Sequence, residues 1–193
     1  MGSKRLGRKR LHSLEKLGKS LTATEIGIGA GMEPALVRAT QKRDGLLVVT
    51  EIVLDLGTSK GAIATAGDKA AIGVAGAAAE VFTWSQAVFG RLTSSEIVCF
   101  EDPAGASGAL GLFRKATSTN AAAALEDVAG ETAVHTGTTF AAGTSETDAV
   151  TSDIYSATTF FTLACQAADT NTYTGGKLVL RLTGQADPLD DDI

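Results

Sequence analysis

The chain is poor in the residues that most chemistry draws on. Histidine occurs twice, cysteine twice, proline three times and tryptophan once among 193 residues, and aromatic side chains make up only 5%. Two cysteines cannot build a disulfide scaffold. No run approaches the roughly 18 consecutive apolar residues of a membrane-spanning helix, which argues against a membrane partner. Enzymes commonly draw on histidine, cysteine and paired carboxylates, so two histidines argue against catalysis. Leucine, isoleucine, valine and phenylalanine together reach about 24% of the chain. That lies just above the range of disordered sequences, and it predicts a folded body with a thin core.

Small and β-branched residues are abundant: alanine, glycine and threonine supply about 40% of the chain. The net charge of −5 conceals an asymmetry. Residues 1–43 carry 10 Lys and Arg against 3 acids, whereas residues 44–193 carry 7 against 19. The sequence therefore predicts a basic N-terminal arm (1–43), an acidic body (44–186) and a short acidic tail (187–193). The arm opens with Lys4, Arg5, Arg8, Lys9 and Arg10, and its Leu11, Leu14 and Leu17 belong to a ragged helical stripe broken by Gly7 and Gly18. Such a stripe orders only against a partner. A partner-bound segment is preferred to a nucleic-acid contact, because the arm offers no aromatic ring on which a base could stack. The basic start is not followed by an apolar stretch of about 7–15 residues, so no secretory signal is expected. Residues 33–40 read as a helical turn with Pro34 near its start, and they bring Arg38 into the same set of contacts.

Beyond the arm the pattern becomes extended. From Leu46 to Leu56 the alternation sets Ile52, Leu54 and Leu56 against Glu51 and Asp55. Between Tyr173 and Gly184 it sets Leu178, Leu180 and Leu182 against Lys177, Val179, Arg181 and Thr183, the clearest strand in the sequence and one expected to be central. Further strands are predicted at 72–75, 81–88 and 158–165. Residues 92–113 read as a hairpin, with Leu92, Ser94, Glu96, Val98 and Phe100 on one face. Residues 114–152 suit a loop or short edge strands, with a short helix near 121–128. Seven to nine short strands and almost no periodic helix predict an all-β body, a β-sandwich or jelly roll, carrying an extended, partly helical basic arm.

The segment Val53–Lys60 resembles the first phosphate loop of the actin, sugar-kinase and Hsp70 ATPases. That family needs two domains and a second phosphate loop, so the segment is read as a strand ending in a glycine turn. The sequence predicts no cofactor, since Gly27–Gly31 and Gly175–Lys177 lack the spacings of nucleotide-binding loops. His12 and His135 lie far apart without cysteine or carboxylates at ligand spacing, so no metal is expected. Serine, histidine and aspartate are all present, but no nucleophile elbow surrounds a serine, and no catalytic residue is assigned. Cys99 and Cys165 sit in apolar segments and read as buried free thiols, with a bridge as the alternative. Trp84, Phe82, Tyr155, Phe160 and Tyr173 read as core or interface anchors.

Taken in order, the Asp-Leu-Gly-Thr turn at 55–58, the segment Gly-Asp-Lys-Ala-Ala-Ile-Gly at 67–73, the Glu-Asp-Pro-Ala-Gly turn at 101–105 and the closing Tyr-Thr-Gly-Gly-Lys-Leu-Val-Leu-Arg-Leu-Thr-Gly at 173–184 resemble the small virion proteins that decorate, or cement, the heads of tailed bacteriophages. The resemblance implies a structural protein of the virion capsid, not an enzyme. It would bind the major capsid protein and neighbouring copies of itself, with a homotrimer favoured by analogy. On this reading the contacts are Lys4, Arg5, Arg8, Lys9, Arg10, Leu11, Leu14, Leu17 and Arg38. A head-fibre or tail protein, and a nucleic-acid-binding protein using the basic arm, are the alternatives. A far-ultraviolet circular-dichroism spectrum of the whole chain is expected to show a strand signature; one dominated by helix contradicts the all-β reading.

Overall fold

The computed structural model describes residues 18–67, 69–121, 132–150 and 159–186, with the side chains of 136–138 excepted. The arm residues before Gly18 and the tail after Ala186 lie outside them, as does Tyr155. Among the described residues ten strands form two antiparallel sheets; eight of them lie within 44–186, inside the seven to nine expected for the body, and two come from the expected arm. The first sheet holds six strands: β1 (Lys19–Leu21), β2 (Leu36–Asp44), β3 (Leu47–Asp55), β10 (Gly175–Gln185), β5 (Arg91–Ala104) and β8 (Ser145–Ala149), in that spatial order. The second holds β4 (Glu80–Trp84), β9 (Thr159–Cys165), β6 (Ala109–Lys115) and β7 (Thr132–Thr139). This is the all-β sandwich that composition and alternation predict.

Leucines set the centre of the larger sheet. Leu178, Leu180 and Leu182 of β10 are buried and pair in register with Leu54, Ile52 and Thr50 of β3 on one side. On the other side they face Cys99, Ile97 and Ser95 of β5. Across the interior lie Phe82, Phe161, Leu110, Leu112 and Leu163 of the smaller sheet, in one continuous cluster. The Phe82 and Phe161 rings stack at 4.2 Å, and Phe82 also meets Phe89 at 5.1 Å. Phe89 ends a four-residue helix, α2 (Gln86–Phe89), that follows β4. Trp84 turns its indole N–H onto Gly90 O at 2.9 Å, so the ring is buried with its donor satisfied. Cys99 and Cys165 are both buried free thiols.

The boundary expected at residue 43 is not found. Residues 19–44 are built into the body, because β1 and β2 extend the larger sheet and Leu21, Ile26, Met32, Ala35 and Ala39 belong to its core. Ser20 and Leu21 are strand rather than the end of a helical stripe. After β1, Thr22 and Glu25 form a reciprocal capping box at the start of a single helical turn, α1 (Ala23–Ile26). Gly27 closes that turn in the left-handed conformation at φ 63°. Residues 27–31 are held against the chain at the start of β4: Gly29 N donates to Glu80 O at 2.8 Å and Gly31 N to Ala78 O at 2.7 Å. A methyl group on Gly29 would stand 2.3 Å from Ala78 O, so only glycine permits this approach. The turn around Pro34 is a 3-10 turn, Glu33–Ala35, and the chain is already extended at Leu36. A segment of glycine and alanine buries its backbone against a neighbour without an apolar stripe, so composition gives no sign of its place in the core.

Three further expectations change. The proposed hairpin at 92–113 does not form, because β5 and β6 belong to different sheets. The single face proposed for β5 is broken by a bulge at Thr93. Leu92 points inward, while Ser94, Glu96 and Val98 turn outward and Ser95, Ile97 and Cys99 replace them inside. The strand expected at 72–75 is reduced to isolated bridges, Ala64 with Gly73 and Ala71 with Ala164, because Gly73 and Gly76 take positive φ. The strand expected at 81–88 ends at Trp84 and gives way to α2. The short helix expected near 121–128 lies outside the described residues beyond Ala121, which is in a turn. Two edge strands, β7 and β8, do occupy the stretch 132–149.

Removing the Leu180 side chain leaves a void at the midpoint of the central strand. Leu180→Ala is expected to lower unfolding free energy by about 2–5 kcal/mol in urea titration. A loss under about 1 kcal/mol contradicts the central placement of β10.

Candidate functional site

Of the contact residues read from the sequence, Lys4, Arg5, Arg8, Lys9, Arg10, Leu11, Leu14 and Leu17 lie outside the described residues. Arg38 is described: it is exposed on β2, opposite Val53. It stands on the outward face of the six-stranded sheet, the wider of the two sheets among the described residues.

That face is organised by alternate residues of β10. Val179 lies between Val53 and Val98, a row of three valines across the sheet centre whose middle member is only 9% exposed and whose outer two are half-buried. Arg181 lies between Glu51 and Glu96 and bonds both, through Nε to Glu51 at 3.0 Å and through a terminal nitrogen to Glu96 at 2.7 Å. Lys177 pairs with Glu101, and that hydrogen bond holds the ammonium above its ordinary pKa. Paired charges of this kind fix side-chain geometry more than they stabilise, since exposed pairs contribute about 0–1 kcal/mol.

Two bulges add apolar groups to this surface. Val37 is the extra residue between Leu36 and Arg38, and Phe100 the extra residue between Cys99 and Glu101. A bulge twists its strand and re-aims a side chain; Val37 is 56% and Phe100 65% exposed. Both flank the ladder row that runs through Leu54 and Leu178, three strand spacings apart, about 14 Å.

The motif at Val53–Lys60 is a structural turn. Asp55 Oδ1 accepts from Gly57 N at 3.0 Å, and Leu56 N donates to Gly176 O at 2.8 Å. A shallow hollow of about 380 Å³ near α1 has Glu33 and Lys60 as the charged members of its lining, with Ala23, Ala30, Pro34 and Leu36 around them.

The most specific side-chain constellation bridges the two sheets. Ser95 on β5 and Asp148 on β8 are register partners whose side chains share the inward face, as do Ile97 and Glu146. His135 reaches them from β7 of the opposite sheet. Its Nε2 is 2.7 Å from Ser95 Oγ, and its Nδ1 is 3.1 Å from Asp148 Oδ2. The second contact lies outside hydrogen-bond geometry, so Nδ1 makes no hydrogen bond. The ring is fully buried, and burial pushes its pKa down against the opposing pull of the Asp148 and Glu146 carboxylates. Serine, imidazole and carboxylate follow one another as in a hydrolase triad. Ser95, however, is 1% exposed and packed between the sheets, where no substrate carbonyl reaches its oxygen.

Spacing along the chain hid this cluster, because its carboxylates come from the next strand and the other sheet. The signal that was present is the alternation Ser145–Ala149, which puts both acids of an otherwise polar strand on one face. No family model matches the chain, and neither a curated protein nor a solved structure matches it.

Ser95→Ala is expected to leave the buried imidazole without its Nε2 partner and to cost about 1–3 kcal/mol of stability. Unchanged urea stability contradicts the inter-sheet hydrogen bond.

Proposed function

We propose that the protein is a non-catalytic component of a tailed-phage virion that decorates the outer surface of the mature head and ties neighbouring major capsid subunits together. The observation that carries this reading is the outward face of the six-stranded sheet, where a valine row and two bulge-exposed apolar side chains lie among fixed ion pairs. An apolar centre with a polar surround is the anatomy of a protein-binding surface. The charge asymmetry adds a second element. A cationic N-terminal segment on an acidic body can meet an acidic neighbour, and a cyclic trimer of this chain satisfies both charges at once.

The physical effect follows from linkage. A protein that binds the expanded capsid lattice and not the free subunit stabilises that lattice by mass action. Many identical copies on one shell add avidity, and an N-terminal segment that orders on contact adds area at an entropic cost.

Purified protein added to mature heads assembled without it is expected to bind them, to ignore free capsid subunits and to raise the melting temperature of the heads. Deleting residues 1–17 is expected to weaken that binding at least about tenfold, equivalent to ~1.4 kcal/mol. Unchanged head stability overturns the reading. So does labelled protein found at the tail or on projecting fibres, and so does salt-sensitive DNA binding that vanishes with residues 1–17 while heads are ignored.

A further inference from the structure

We propose that His135, Glu146 and Asp148 bind one divalent transition-metal ion, zinc foremost, which clasps the edge of the sandwich where β7 of one sheet meets β8 of the other. The inference stands on the described residues alone and is independent of the virion reading.

The cluster places one imidazole nitrogen and two carboxylates within 4.8 Å of one another. Two carboxylates on an edge strand would not by themselves mark a site, since inward-pointing charge also protects edges from unwanted pairing. The independent observation is the imidazole. His135 is fully buried, its Nδ1 has no hydrogen-bond partner, and that atom is aimed at the two acids. In the tautomer whose Nε2–H donates to Ser95 Oγ, Nδ1 carries a lone pair that faces two carboxylates, and a cation or a proton between them relieves the repulsion. Ser95 then does what the outer partner of a ligating histidine does: it fixes the tautomer and the ring orientation.

The donor set indicates the kind of ion. Calcium and magnesium prefer oxygen ligands, whereas a mixed imidazole and carboxylate set suits zinc and its transition-metal neighbours. Bonds of about 2.0–2.2 Å around a tetrahedral ion put adjacent ligand atoms roughly 3.4 Å apart. His135 Nδ1 and Asp148 Oδ2 already stand 3.1 Å apart. The Asp148 side chain is 43% exposed, which provides the route of entry from solvent and leaves the fourth position open. A bound ion would join β7, at the edge of the smaller sheet, to β8, at the edge of the larger one.

The full-length chain, stripped with a chelator and dialysed, is titrated with Zn²⁺, Mn²⁺, Ca²⁺ and Mg²⁺. One Zn²⁺ per chain is expected to survive gel filtration and to raise the melting temperature by several degrees. Asp148→Asn and Glu146→Gln keep side-chain volume and are expected to weaken zinc binding about 10–100-fold. Should either variant fail to fold, imidazole NMR of the unaltered chain decides. Its two histidines, His12 and His135, give separate signals, and zinc is expected to shift the one whose nuclear Overhauser contacts place it beside Leu112. Absence of retained zinc, an equal gain from calcium or magnesium, undiminished affinity in both folded variants, or a shift confined to His12 each overturns the site.

Discussion

The pairing of β10 with β3 and β5 is the contact on which the rest of the molecule depends. It joins the last described strand to one near the start of the chain and to one near its middle, so the larger sheet has no centre until nearly the whole chain is present. Six of the nine connections between consecutive strands cross from one sheet to the other. Such a topology is rich in non-local contacts, which slow folding because loop closure precedes the stabilising pairings. The compensation is local. The three inward leucines of β10 meet buried partners on both flanks, and those partners are continuous with the aromatic cluster of the smaller sheet.

The same strand also orders the opposite face. Because side chains alternate, fixing Leu178, Leu180 and Leu182 inside fixes Lys177, Val179 and Arg181 outside. The outward ion pairs and the valine row are therefore held in register by the core. Apolar groups enter this surface through bulges at Val37 and Phe100, where one extra residue turns a side chain to solvent without disturbing the leucine row beneath. A rigid face of this kind loses little entropy when it meets a partner.

Legibility in the sequence followed the strength of alternation. β3 and β10 were readable because β-branched and leucine residues alternate cleanly with charged ones, and the segment 158–165 was readable as the strand that is β9. β5 was readable as a strand but not in its facing, since the bulge at Thr93 reverses the phase partway along. The N-terminal part of the body was hidden by its composition. Leu21, Ile26, Met32, Ala35 and Ala39 are spaced as no single helix or strand would space them, because they come from β1, a helical turn, a 3-10 turn and β2 in succession. The His135 cluster was invisible for a different reason: its members are gathered by a sheet crossing that no local pattern encodes. Basic and leucine-rich residues before Gly18 remain the sequence's own suggestion for a partner contact.

Native-state hydrogen exchange at the amides of Leu178–Leu182 tests the central claim most directly. If β10 holds the sandwich together, these amides exchange only through global unfolding, with protection matching the stability found by denaturant and exceeding that of the edge strand β8. Exchange of the β10 amides at the rate of β8, or at a free energy well below global unfolding, would contradict the account.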